Sequence, residues 1–198
     1  MTSKASYQSI ATNMMTELSL NVLDVANNSI RAGANLIEIS VHIQRELDRM
    51  AITIADNGSG MTPEQLQVVE DPFFTTRTTR KIGLGVPFFK MAALNTNGTF
   101  HIESTLGIGT TVTASFQLSH IDRMPLGDMN STIHTLITLN TQIDFVYTYL
   151  FDDNHFTLDT RQFREILNDV PLNSPDVSEY IKEYLSENQR ETDGGNLV

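Results

Sequence analysis

Asp56 stands where an alternating stretch, with Ile52 and Ile54 on one side, runs into Asn57, Gly58, Ser59 and Gly60. The alternation predicts a half-buried strand, so the carboxylate is fixed at a strand end. Two glycines let the backbone bend sharply and come close to a flat ligand, and an acidic side chain there can accept a hydrogen bond from an exocyclic amine such as that of adenine. Alone, Asp-Asn-Gly is an ordinary Asx-type turn. Three other stretches ask for a compatible ligand. Asp24, Asn28 and Arg31 fall at i, i+4 and i+7 of a predicted helix, which brings a carboxylate, an amide and a guanidinium onto one face. Gly83, Leu84 and Gly85 feed a helix opened by Pro87, next to a run of hydroxyls and cations that includes Thr76, Arg77, Arg80 and Lys81. A glycine-rich turn at a helix N-terminus beside cations suits phosphate. There is no Gly-Lys-Ser/Thr, so this is not the Walker type of phosphate loop. Gly107, Gly109, Thr110 and Thr111 form the fourth stretch.

The elements that position these groups follow from hydrophobic spacing. Residues 16–32 read as a helix, with Leu18, Val22 and Val25 on one stripe and Leu20, Leu23 and Ile30 beside it, an apolar surface broad enough for burial. Gly33 ends it, and Ile37, Ile39, Val41 and Ile43 then alternate with Glu38, Ser40 and His42, so residues 36–55 form a hairpin packed on that helix. Thr62, Pro63 and Glu64 start a short helix, Pro87 a second one to about Leu94, and a further hairpin spans residues 99–118. Helices on one face of a mixed, mostly antiparallel sheet follow, an α/β two-layer sandwich. From Ser119 the composition shifts. A helix over 126–139, a hairpin over 143–159 turned at Asp153 and Asn154, and helices near 161–168 and 176–186 are predicted, with a polar, disordered tail over 187–198. The expected organisation is a ligand-binding domain over 1–118 and a small, acidic α+β C-terminal extension over 119–198.

The chain has 198 residues, 40% of them hydrophobic and 19% charged, enough for one well-buried core. No apolar run reaches bilayer length and no signal-peptide core opens the sequence, so a cytoplasmic protein without a membrane partner is expected. With no cysteine, disulfides and thiolate metal sites are excluded. Residues 1–118 carry 8 Lys/Arg against 10 Asp/Glu, and residues 119–198 carry 5 against 14. An acidic surface repels a phosphate backbone, so no nucleic-acid partner is expected, while the small cluster of Arg77, Arg80, Lys81 and Lys90 suits one small polyanion.

In order and spacing, these stretches resemble the nucleotide-binding domain of the GHKL superfamily: gyrase, heat-shock chaperone, histidine kinase and mismatch-repair ATPases. LDVANNSIRAGA from Leu23 resembles the N box, IADNGSGM the first glycine box, DPFFTT the phenylalanine box, KIGLGV the second glycine box and STLGIGTTVTASF the third, together covering about Glu17 to Phe116. The resemblance implies a Bergerat-type ATP-binding fold, with ATP and Mg2+ as ligands, in a stand-alone bacterial protein. By the same resemblance Asn28 is the magnesium ligand and Asp56 the adenine reader. Gly58, Gly60, Met61, Gly83, Leu84, Gly85 and Val86 are pocket walls, Arg31, Thr76, Arg77 and Lys81 lie near phosphate, and Thr110 or Thr111, with Thr111 preferred, supports adenine through water. Asp24 sits where mismatch-repair and anti-sigma relatives have glutamate, used as a base. Aspartate keeps the carboxylate on a shorter arm, which bears on rate more than on binding.

The resemblance implies an ATPase or protein kinase that regulates a protein partner. Two alternatives stand beside it. One is an ATP-sensing interaction module without turnover, docking through its acidic C-terminal part. The other is autophosphorylation at His120, whose setting SHIDRMPL partly resembles a histidine-kinase phosphoacceptor box, although it follows a strand and reads more simply as a turn.

Overall fold

Apolar residues at every second position, β-branched over residues 37–43 and aromatic over 145–151, build the strands, and the face they share decides where the helices lie. The protein is described by a computed structural model covering residues 16–69, 85–168, 170–196 and 198. Its helices are α1 (Leu18–Arg31), α2 (Pro63–Val69), α3 (Gly85–Leu94), α4 (Met129–Leu139), α5 (Thr160–Leu167) and α6 (Pro175–Asp193). Its strands are β1 (Leu36–Gln44), β2 (Arg49–Asp56), β3 (Phe100–Thr105), β4 (Gly109–Gln117), β5 (Asp144–Phe151) and β6 (Asn154–Asp159), in one sheet of order β3-β4-β2-β1-β5-β6. Every neighbouring pair is antiparallel except β1 and β5, which are parallel. This is the expected two-layer α/β sandwich on a mixed, mostly antiparallel sheet.

Register keeps the apolar side chains on one face. Val112, Ile54, Ile39 and Tyr147 lie in one row across β4, β2, β1 and β5, and Ala114, Ile52, Val41 and Tyr149 lie in the next. All are 3% exposed or less, and Leu18, Val22, Val25 and Ala26 of α1 are buried with them in the same core. Phe89 of α3 stacks at 5.8 Å on Phe116 and at 6.4 Å edge-on to Phe100, closing the β3 end. On the other face, Thr113, Thr53, Ser40, Thr148 and Thr157 form a row of hydroxyls across five strands.

The stretch expected as a C-terminal α+β extension joins the same sheet: β5 pairs with β1 along its length, and the Leu18 and Ser19 N–H groups donate to Pro125 and Leu126. The tail expected to be disordered from residue 187 is helical to Asp193, because Leu185, Thr192 and Asp193 are buried and the Tyr149 hydroxyl donates to Asp193 at 3.1 Å. No helix among the described residues is long and apolar enough to cross a membrane.

Candidate functional site

Where β2 ends, Asp56 is held from two sides. Ser29 Oγ donates to Asp56 Oδ2 at 2.6 Å, and the Gly58 N–H donates to Oδ1 at 2.9 Å. The carboxylate therefore has a fixed orientation, with lone pairs left for a ligand. The turn after it is stitched to the end of α1. Asn57 Oδ1 accepts from the Asn35 and Leu36 N–H groups at 3.0 Å each, and the Ser59 N–H donates to Ala32 at 2.9 Å.

Above Asp56 lies a cleft of about 470 Å³, within the range of small-molecule sites. Asn28, Ser29 and Arg31 line it from α1, Asp56, Gly60 and Met61 from the turn after β2, Val86 from α3, and Thr110 and Val112 from β4. Its wall is mostly apolar, with polar groups gathered on α1 and at the strand ends. Two glycines are required by close backbone approach. A side chain at Gly60 (φ +60) would overlap the Thr105 carbonyl, and one at Gly109 (φ +144) would overlap that of Asp56. The β3–β4 hairpin thereby sits directly on the Asp56 turn, and Ser104 completes the junction by accepting from the Met61 N–H at 2.9 Å and sharing a hydrogen bond with Thr110 at 2.8 Å.

One turn before Asn28, Asp24 packs against the start of α3. A Cβ on Gly85 would fall 2.7 Å from Asp24 Cβ and 3.2 Å from its Oδ2, so only glycine lets α3 come this close. Partial burial raises the Asp24 carboxyl above its ordinary value, and the positive charge of Arg31 opposes that rise. Arg31 Nη1 also donates to Asn28 Oδ1 at 3.4 Å.

Asn28, Arg31, Asp56, Gly60, Met61 and Val86 are thus brought around one cleft, with Asp24 and Gly85 packed together beside Asn28 on α1 and at the start of α3, and Gly58 under the turn. Thr111 is not among them. Strand alternation places Thr110 and Val112 on the cleft side, so Thr111 points to the opposite face with Thr113, and Thr110 takes its place. Thr76, Arg77, Lys81, Gly83 and Leu84 lie outside the described residues. Ser29, Gln65 and Ser104 are polar groups that sequence reasoning missed. Ser29 could have been found from its step within Val25, Asn28, Ser29 and Ala32, one face of α1.

The fold is thus a two-layer sandwich whose cleft carries an oriented carboxylate at a strand end and an amide on the covering helix. The sequence model of the histidine kinase-, DNA gyrase B-, and HSP90-like ATPase family matches residues 11–120. The chain belongs to that family. It is 38% identical over 58 residues to the sensor protein kinase FleS of Pseudomonas aeruginosa, which covers 29% of this chain and 14% of that one. It is 35% identical over 101 residues to sporulation kinase B of Bacillus subtilis, covering 50% and 23%. A sensor protein of Shewanella frigidimarina is 32% identical over 104 residues, covering 52% and 16%. The matches therefore span between 14% and 23% of the length of these relatives. Among solved structures, the N-terminal domain of a DNA repair protein shares the fold with a TM-score of 0.50 at 17% identity, covering 75% of this chain and 53% of that one.

Proposed function

We propose that the cleft binds ATP with Mg2+ and that the chain passes the terminal phosphate to water or to a protein partner in a regulatory role. The carrying observation is the fixed Asp56 carboxylate, held by Ser29 and Gly58, on a cleft whose α1 wall also presents Asn28. Asp56 accepts from the exocyclic amine of adenine, which a guanine carbonyl at the same place cannot supply. The apolar wall of Ile54, Met61, Val86, Ile102 and Val112 receives the ring. Arg31 adds positive charge on the phosphate side.

The amide oxygen of Asn28 is a hard donor of the kind Mg2+ takes, and one protein ligand beside phosphate oxygens suits that ion. When bound, the ion neutralises phosphate charge as it develops in transfer. Asp24 is the group on this face able to accept a proton. Its raised pKa makes it the stronger base, and its place one helical turn before Asn28 supports this role. The relatives named as kinases support phosphoryl transfer as the chemistry, and the shorter aspartate arm supports the alternative of a nucleotide-sensing module. Transfer to His120 within one chain lacks support. His120 follows the far end of β4, whose run from Thr110 to Gln117 is about 23 Å long at the usual strand rise.

The deciding experiment follows the γ-phosphate of labelled ATP with Mg2+, using the wild-type chain beside Asp24→Asn. Label released by the wild type and reduced about a hundredfold in the variant, with ATP binding retained in both, is the expected result. If both bind ATP and neither releases label, the chain is a sensing module. If neither binds ATP, the nucleotide reading itself falls.

A further inference from the structure

Away from the cleft, α5 and α6 meet through Phe163, Tyr180 and Tyr184, whose ring centroids lie 5.4 to 6.3 Å apart. Parts of this cluster stay exposed among the described residues. Tyr180 is 54% exposed, Ile166 on the flank of Phe163 is 76% exposed, and Val170 in the turn after α5 is 45% exposed. Exposed apolar groups gathered beside an aromatic cluster mark a candidate binding surface.

Beside it runs a row of charge. Glu179, Glu183, Glu187 and Glu191 follow at four-residue steps and are all exposed, while Val177, Ile181 and Leu185 of the same helix enter the core. Like charges at that spacing oppose helix formation, so the row costs the fold stability. Lys182 answers Glu179 at 3.4 Å, and Arg190 is a further cation on this face. On α5, Arg161 and Arg164 are already held by Asp159 at 2.6 Å and Asp144 at 3.2 Å. Four exposed glutamates against Lys182 and Arg190 leave the formal charge of this α6 face negative.

We propose that the α5–α6 face docks a basic amphipathic helix of a partner protein. The helix lays its apolar side on Phe163, Ile166 and Tyr180, and its lysines or arginines run along the α6 glutamates. Charge complementarity selects this occupant. A second copy of the chain would bring two glutamate rows together, and an anionic membrane or nucleic acid would meet the same repulsion. A helix in a shallow apolar groove with opposite charge along the rim is a common recognition mode.

The test uses the full chain without nucleotide, so that its outcome is independent of the cleft. The probe is a synthetic helix of lysine and leucine, about 18 residues long, compared with a version carrying glutamate in place of lysine. Binding of the lysine peptide, with amide resonance shifts concentrated at residues 163–170 and 180–187, is the expected result. Ile166→Ser and the charge variant Glu179→Lys/Glu183→Lys/Glu187→Lys should each weaken binding by roughly tenfold or more. The glutamate peptide should not bind. Both variants alter exposed side chains and should keep the wild-type melting temperature; if the charge variant does not fold, Ile166→Ser alone decides. Unchanged affinity in Ile166→Ser, or shifts that map elsewhere, overturns the proposal. So does concentration-dependent self-association of the wild type that Ile166→Ser abolishes, since that result assigns the face to a second copy.

Discussion

At the scale of single residues, the site depends on what orients Asp56 and on what Asp24 costs. Ser29 donates to one Asp56 oxygen at 2.6 Å, and hydrogen bonds to charged groups are worth about 1.5–3 kcal/mol. Ser29→Ala should therefore weaken ATP binding about tenfold or more, read by titration calorimetry, with the fold intact. Asp24 makes a prediction of opposite sign for stability. Its folded pKa is raised, so its stabilising contribution is complete below the ordinary carboxyl value and is lost as pH rises through the raised one. Asp24→Asn should accordingly melt no lower than wild type at neutral pH, and its advantage should shrink on acidification, while turnover falls. A variant less stable at neutral pH would mean that the carboxylate is held by pairing and not penalised by burial. Asp56 stood out in the sequence because it ends an alternating strand just before Gly58 and Gly60, and because three other stretches ask for a compatible ligand. Ser29 was less so: its step beside Asn28 puts it on the right face of α1, but nothing local names its partner, which lies 27 residues away. The choice of Thr111 over Thr110 is corrected by the alternation of Val112, Ala114 and Phe116, which, carried back two residues, already reaches Thr110.

At the scale of elements, the cleft exists because α3 lies close against α1 and the β3–β4 hairpin presses on the Asp56 turn. Gly85 sets the first of these approaches. Gly85→Ala would place a Cβ 2.7 Å from Asp24 Cβ, and overpacking of this kind costs about 1–3 kcal/mol. The expected outcome is a lower melting temperature together with weaker nucleotide binding, because Val86, the next residue, lines the cleft. An unchanged melting temperature would show that α3 can move away without loss. The hairpins were readable because one-sided burial imprints a period of two on the sequence. The end of α6 was not. Glu187 to Asp193 is polar enough to read as solvated chain, and what holds it is distant: Tyr149 on β5 donates to Asp193, and Asn154 Nδ2 donates to the Thr192 carbonyl at 3.3 Å.

At the scale of the whole molecule, the change in composition at Ser119 is not a break in the sheet. Two of its six strands come from beyond that point, and β5 lies parallel to β1 from Leu36–Asp144 to Ile43–Phe151. Alternation in residues 144–151 reveals a strand but cannot name its partner, since a parallel pairing across a hundred residues leaves no local trace. A chain ending at residue 118 would bare the N–H and C=O groups along β1 and uncover the side of α1 that α4 covers, including the Leu18 and Ser19 N–H groups now donating to Pro125 and Leu126. An open, apolar sheet edge of that length is an aggregation template. The 1–118 fragment should therefore be insoluble or lack cooperative melting, whereas the full chain should melt in one transition and show slow amide exchange in β1 and β5 together. A soluble 1–118 fragment that binds ATP as tightly as the full chain would instead make residues 119–198 a dispensable extension, whose value to the protein would then rest on what its α5–α6 face recruits.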